Sequence, residues 1–232
     1  MMFISWDKLP EEMKNDEVRA YYDILKKRRA SLIVKRVFDV TASLIMLILL
    51  SWLFLILAVM IKLDSKGSVF FRQTRVTTGN KDFRIFKFRT MVDNADKLGS
   101  LVTTGNDMRI TRVGSKIRKC RLDEIPQLIN VLKGEMTFVG TRPEVRKYVS
   151  VYTNEMMATL LMPAGITSLA SISFKDEDDI LDEYTDKGIS VDEAYVQKVL
   201  PEKMVYNLEY IKHFSFFSDI KLMLKTAVSV VR

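Results

Sequence analysis

From Val40 to Ile61 the chain carries 22 consecutive residues without a charge, rich in Leu, Ile, Val, Met, Phe and Trp. As a straight helix the run would measure roughly 33 Å, close to the thickness of a bilayer's hydrocarbon core. A cleaved leader is not expected, since the run begins about forty residues in and Lys62 and Asp64 follow it without a small-residue cleavage pattern. Length alone points to a single-pass anchor, but the flanks point elsewhere. Lys26, Lys27, Arg28, Arg29, Lys35 and Arg36 precede the run, and Lys62, Lys66, Arg72 and Arg75 follow it. A spanning helix usually has its basic excess on one side, so cations at both ends predict that both ends face the cytoplasm and that the helix enters and turns back. Ser51, near the midpoint, would help the bend by bonding to a backbone carbonyl. Asp39, at the edge of the run, is expected to pair with Lys35 or Arg36, because an unpaired carboxylate there is costly.

The remaining composition narrows the chemistry. The chain has 232 residues, room for one domain of ordinary size with an appended element, and no internal repeat. A formal charge of +7 calls for an anionic partner: nucleic acid, a lipid surface or a phosphorylated small molecule. No recognition-helix pattern, zinc-finger spacing or aromatic RNA-binding motif supports nucleic acid. One cysteine, Cys120, and one histidine, His213, exclude an intramolecular disulfide, a Cys/His zinc site and a Ser-His-Asp triad within one chain. Any metal should therefore be a hard, oxygen-bound ion.

Residues 1–34 read as an amphipathic helical extension starting at Pro10-Glu11-Glu12, with Val18, Tyr21, Tyr22 and Leu25 on one stripe. Its basic end, Lys26 to Arg36, is expected to rest on anionic headgroups. After the apolar run the period changes to two. Val69–Gln73 and Asp82–Arg89 predict strands joined by a turn at Thr77-Thr-Gly-Asn80. Lys87 and Arg89 alternate onto one face, where they are expected to converge on one anion. Two later stretches, Met156–Met162 and Tyr206–Val231, carry apolar stripes that suit either a core or a bilayer surface.

The chemistry concentrates in Arg118-Lys-Cys-Arg-Leu-Asp-Glu-Ile-Pro-Gln127. Pro126 suits a first helical turn, Leu128, Ile129 and Leu132 follow at helical spacing, and Lys133-Gly134 reads as a stop. Asp123 and Glu124 then lie near the positive end of a helix dipole, whose field favours an ionised carboxylate and a bound phosphate. Such a carboxylate could attack phosphorus if cations or a metal screen the repulsion. Arg109, Arg112, Lys116, Arg118, Lys119 and Arg121 precede the pair, and Gly140-Thr-Arg-Pro143 holds Arg142 in a stiff turn beyond it. An acidic helix start on a solvated basic surface is the plain alternative.

Several ordered motifs together resemble the bacterial sugar transferases, monotopic polyprenyl-phosphate phosphoglycosyl transferases. They are Lys35-Arg-Val-Phe-Asp39, Lys62-Leu-Asp64, Val69-Phe-Phe-Arg-Gln73, Phe86-Lys-Phe-Arg-Thr-Met91, Arg109-Ile-Thr-Arg112, Leu122-Asp-Glu-Ile-Pro-Gln127, Asn130–Met136, Phe138–Glu144 and Pro163–Thr167. The likeness runs from about residue 35 to the carboxy terminus. It implies an α+β fold: a mostly helical membrane-surface domain with a small β-hairpin, an N-terminal re-entrant membrane helix and amphipathic interfacial helices. The chain then divides into the extension 1–34, the re-entrant helix 35–64 and a catalytic domain 65–232 on the cytoplasmic face of a bacterial inner membrane. The resemblance further implies that Asp123 attacks the β-phosphorus of a UDP-sugar, expels UMP and holds the phosphosugar until polyprenyl (undecaprenyl) phosphate takes it. Glu124 would assist with proton transfer or Mg²⁺, and Mg²⁺ would bridge Asp123 and the diphosphate. Lys87, Arg89, Arg112, Arg118, Arg142 and Lys175 are the expected substrate-binding cations, inner-leaflet lipids the expected surroundings, and a homodimer is left open. Where the family commonly has Ser-Pro, this chain has Ser51-Trp52; where many members have Pro-Arg-Pro, it has Thr141-Arg142-Pro143; and Lys175 stands where many carry an arginine. Two rival readings are a membrane-anchored basic binding protein without catalysis and a Mg²⁺-dependent phosphohydrolase.

Overall fold

The computed structural model describes residues 3–95, 107–174 and 177–231. Helices dominate, with two small sheets, giving the expected α+β class. In chain order they are α1 (Asp16–Lys27), α2 (Arg29–Leu49), α3 (Ser51–Asp64), β1 (Phe70–Thr77), β2 (Lys81–Phe88), α4 (Arg112–Lys119), α5 (Gln127–Lys133) and β3 (Met136–Val139). Then follow α6 (Arg146–Val149), β4 (Ala164–Thr167), α7 (Leu169–Ser173), α8 (Glu177–Asp186), α9 (Val191–Ala194), α10 (Leu200–Lys212) and α11 (Phe216–Val231).

The apolar run is not one helix. α2 and α3 meet at Leu50 with a 62° bend, and among the described residues no single helix is long and apolar enough to cross a membrane. Ser51 donates its hydroxyl to the Ile48 carbonyl at 2.8 Å, the bond expected of a serine at a bend. Apolar side chains cover the outside of both helices, including Ile45, Ile48, Leu49, Trp52, Leu55, Ile56 and Leu63. The inner end of α3 is covered: Leu57 and Ile61 pack with Phe88 from β2 and Ile117 from α4, flanked by Leu122. Asp64 at the end of α3 accepts the Val113 amide at 3.0 Å, which fixes where α4 begins.

β1 and β2 pair antiparallel from Phe70↔Phe88 to Thr77↔Lys81 around the expected turn. β3 and β4 form a short parallel pair. α5 ends as expected at Gly134, whose φ of 80° is the left-handed conformation that glycine adopts without penalty. Arg36 of α2 donates to the Val131 and Leu132 carbonyls at 2.6 and 2.9 Å, placing a cation at the negative end of that helix.

Three expectations change here. The N-terminal helix starts at Asp16, not at Pro10, because the Asn15 side chain accepts the Val18 amide at 2.9 Å and caps it, while Glu11–Met13 make a separate 3₁₀ turn. Its stripe does not lie open: Val18, Tyr21, Tyr22 and Leu25 join Leu9 and Met13 in one core with Met157, Leu160, Leu161, Met162, Ile211 and Phe214. That core also settles the Met156–Met162 stripe, apart from half-buried Met156, as interior. Asp39 does not take Lys35 or Arg36 as its hydrogen-bond partner. It accepts from the Thr137 hydroxyl at 2.6 Å and the Phe138 amide at 3.3 Å. Lys35 instead pairs with Asp219 of α11 at 2.5 Å, both side chains 2% exposed, and Tyr210 donates to the other oxygen of Asp219 at 2.9 Å.

Candidate active site

α4 and the acid pair are joined by one unusual residue. Arg121 has φ 51° and ψ 23°, left-handed values that cost an L-residue about 1–2 kcal/mol. Its amide donates to the Arg118 carbonyl at 2.9 Å, and its carbonyl accepts from Glu124 at 3.2 Å. The chain therefore leaves α4 and turns at once into the 3₁₀ turn Leu122–Glu124, which brings the acids within reach of the Arg118 charge. Leu122 anchors that turn on the α3 cluster, which sets the acid pair beside the inner end of the apolar hairpin. On the far side Gly114 presses α4 against the strand end: a Cβ there would lie 2.0 Å from the Thr90 carbonyl oxygen.

Lys87 reaches in from β2. Its ammonium is 2.8 Å from Glu124 Oε1 and 3.9 Å from Asp123 Oδ2, so one cation serves both acids. Arg121 Nη1 lies 3.8 Å from Glu124 Oε2. Arg118 acts on Asp123 through its charge, and its Nη1 is buried with no hydrogen-bond partner among the described residues. A buried guanidinium nitrogen without an acceptor is costly unless an anion completes it. Arg142 is exposed on its turn, donates to Ser171 at 3.3 Å, and its charge is felt at Glu124.

These surroundings push the two acids apart. Burial raises the Asp123 pKa above the usual carboxylate range; Lys87 and Arg118 oppose that, while Glu124 adds to it. Burial raises Glu124 too, but the charge and hydrogen bond of Lys87, with Arg142 and Arg121, outweigh it and leave Glu124 lowered. A helix dipole alone would favour ionisation at both. At Asp123 desolvation outweighs it, and the neighbouring cations carry the compensation.

Of the expected substrate-binding cations, Lys87, Arg118 and Arg142 converge on the acids. Arg89 does not. β2 ends at Phe88, and the buried Arg89 guanidinium turns back to the carbonyls of Ser65 and Lys66 at 2.7 and 2.6 Å, where it ties down the end of α3. Arg112 is exposed in the first turn of α4, about 9 Å along the helix from Arg118 by helical rise. Among the described residues nothing joins Arg112 to the acids. Lys175 lies outside the described residues. Arg121, which the sequence shows only as one cation in a run, belongs to the site; the left-handed turn that aims it has no signal in an arginine codon's neighbours.

A family model described as bacterial sugar transferase matches residues 30–232. The chain is 38% identical over 201 residues to the UDP-N-acetylgalactosamine-undecaprenyl-phosphate N-acetylgalactosaminephosphotransferase of Aeromonas hydrophila, covering 85% of this chain and 44% of that protein. It is 33% identical to the uncharacterized sugar transferase EpsL of Bacillus subtilis (strain 168), covering 86% of this chain and 88% of that one. Against the undecaprenyl-phosphate glucose phosphotransferase of Komagataeibacter xylinus the identity is 36%, over 88% of this chain and 37% of the relative. The chain thus spans less than half the length of two of these three relatives and most of the third.

Proposed function

Because the chain belongs to the bacterial sugar transferase family, we propose that it moves a phosphosugar from a UDP-sugar to polyprenyl phosphate, with Asp123 as the covalent carrier. The observation that carries this reading is Asp123 itself, a buried carboxylate facing Lys87 and Arg118, the latter with a donor left open. In the first step an oxygen of ionised Asp123 forms a bond to the β-phosphorus, the bond from that phosphorus to the bridging oxygen breaks, and UMP leaves with the electron pair. In the second an oxygen of polyprenyl phosphate bonds to the same phosphorus and Asp123 leaves as the free carboxylate. Lys87 and Arg118 neutralise the phosphate charge that builds up around phosphorus. Glu124, held ionised chiefly by Lys87, keeps Lys87 in place and accepts a proton from the incoming group.

Two adjacent carboxylates with substrate phosphates suit Mg²⁺, which keeps several waters and takes one or two carboxylates beside phosphate oxygens. Asp123 and Glu124 would hold it, and when bound it neutralises diphosphate charge.

The bent, apolar-coated α2–α3 hairpin supports a re-entrant membrane segment with both ends on the cytoplasmic face of a bacterial inner membrane. α11 supports an interfacial placement of the domain: Phe217, Leu224 and Val228 are exposed on it. The site's place beside the inner end of α3 brings a lipid-borne acceptor within reach, which favours transfer to lipid over transfer to water. The product would start a lipid-linked glycan.

Intact-mass measurement after incubation with a UDP-sugar and Mg²⁺, without acceptor, should show one added phosphosugar on the wild type and none on Asp123→Asn. A UMP-release panel over UDP-sugars names the donor, and sustained UMP release without lipid would instead mark a hydrolase. For topology, single cysteines at positions 30 and 66, in a chain freed of exposed Cys120, should be labelled from the same side of sealed vesicles. Labelling from opposite sides rules the hairpin out.

A further inference from the structure

Three non-glycine residues have positive φ among the described residues: Asn80, Asn94 and Arg121. Two are asparagines, which tolerate the left-handed region because their short amides bond locally. Arginine has no such advantage, so the turn alone does not account for it; Asn or Gly would make the same reversal with less strain. What arginine adds is a guanidinium on the solvent side of the acid pair. Its side chain is 50% exposed, against 18% for Glu124 and 11% for Asp123, and its 3.8 Å approach to Glu124 is longer than a hydrogen bond. An ion pair that open and that long is weak and easily exchanged. Deeper in, Glu124 keeps Lys87 at 2.8 Å whether or not Arg121 stays.

We propose that Arg121 is a donor-binding residue: it rests on Glu124 in the free chain and swings onto the diphosphate of the nucleotide donor when that reaches the acid pair. Arg118 then meets the diphosphate from inside with its open nitrogen and Arg121 closes over it from the solvent side. The planar fork of Arg121 suits two phosphate oxygens at once, which a lysine cannot match. The strained backbone aims the fork. This rests on the phosphosugar-transfer reading above, and it adds a cation that would discriminate nucleoside diphosphate donors from monophosphates.

The test uses full-length protein in lipid nanodiscs with saturating polyprenyl phosphate and the UDP-sugar found in the panel. Arg121→Asn keeps a residue that accepts the left-handed turn, so it should fold, with a melting midpoint equal to or above wild type. Its KM for the donor should rise about tenfold or more, beyond any fall in kcat. Arg121→Lys should recover part of that loss despite its strain. A donor KM for Arg121→Asn within about twofold of wild type overturns the inference, as does a fall in kcat at unchanged KM, which would put the arginine's action on Glu124. If wild type transfers nothing from any UDP-sugar, the transfer reading fails first, and this inference with it; Arg121→Asn matching an active wild type sinks this inference alone.

Discussion

Two aspartate–lysine pairs, both set into the body of the protein, are treated in opposite ways. Lys35 and Asp219 touch at 2.5 Å, both all but sealed from solvent, and Tyr210 completes the second carboxylate oxygen. Lys87 and Asp123 stand 3.9 Å apart, the lysine leans toward Glu124 instead, and a neighbouring arginine nitrogen has no acceptor. The first pair is closed: every charge has its partner, and the result is a rivet between the start of the apolar hairpin and the last helix. The second is open, with charge in excess and geometry unfinished. An incomplete pair of this kind, beside an arginine nitrogen without an acceptor, is what the proposed donor site requires.

The sharpest way to break this contrast is Asp123→Asn, which should lower UMP release by about 10⁴-fold or more while leaving the denaturation midpoint unchanged or higher. If it unfolds the protein, the open pair was structural after all. On the closed side, Lys35→Met strands Asp219 and should cost about 3–5 kcal/mol in chemical denaturation in detergent, and adding Asp219→Leu should recover most of it. A cost near that of an exposed pair would show that the rivet bears little. Arg89→Met tests the boundary between the two regions: it removes bonds to the Ser65 and Lys66 carbonyls and should cost about 1–3 kcal/mol, with the donor KM unmoved. The subtlest effect is in pH. Asp123 must be ionised to attack, so activity is lost as pH falls through its pKa, which burial raises and Lys87 pulls down. Lys87→Met removes the downward pull, so the acid limb of kcat/KM should move to higher pH; a limb that stays still would remove Lys87 from the field at Asp123.

The sequence exposes what depends on neighbours a few residues away. The hairpin, the Gly134 stop, the bend near Ser51 and the acid pair in a turn before α5 all follow from local turn chemistry and period. What it hides depends on residues far along the chain. For Asp39 the near cations Lys35 and Arg36 are the expected partners; both act on it through charge, yet its hydrogen bonds come from Thr137 and Phe138, about a hundred positions on. Arg89 was grouped with Lys87 by strand alternation, which stops holding one residue past the strand's end. The N-terminal stripe reads the same whether it meets lipid or protein, since periodicity says which face is apolar and not what covers it. At the site, Lys87, Arg118 and Arg142 were legible as cations of matching motifs, while Arg121 was visible only once its backbone was seen.

The sealing of the N-terminal segment has a consequence for how the protein is made. Leu25 and Met13 close against Ile211 and Phe214, and Arg28 donates to the Phe214 carbonyl, 186 residues later. The N-terminal turns therefore find part of their core far along the chain, in α10 and the residues just after it. Contacts so remote are slow to form, and until α10 is in place these residues are buried only in part, against Met157, Leu160, Leu161 and Met162. The apolar α2–α3 segment lies between these partners in the chain, so the core that holds the N-terminal turns closes only after the residues that follow that segment have folded.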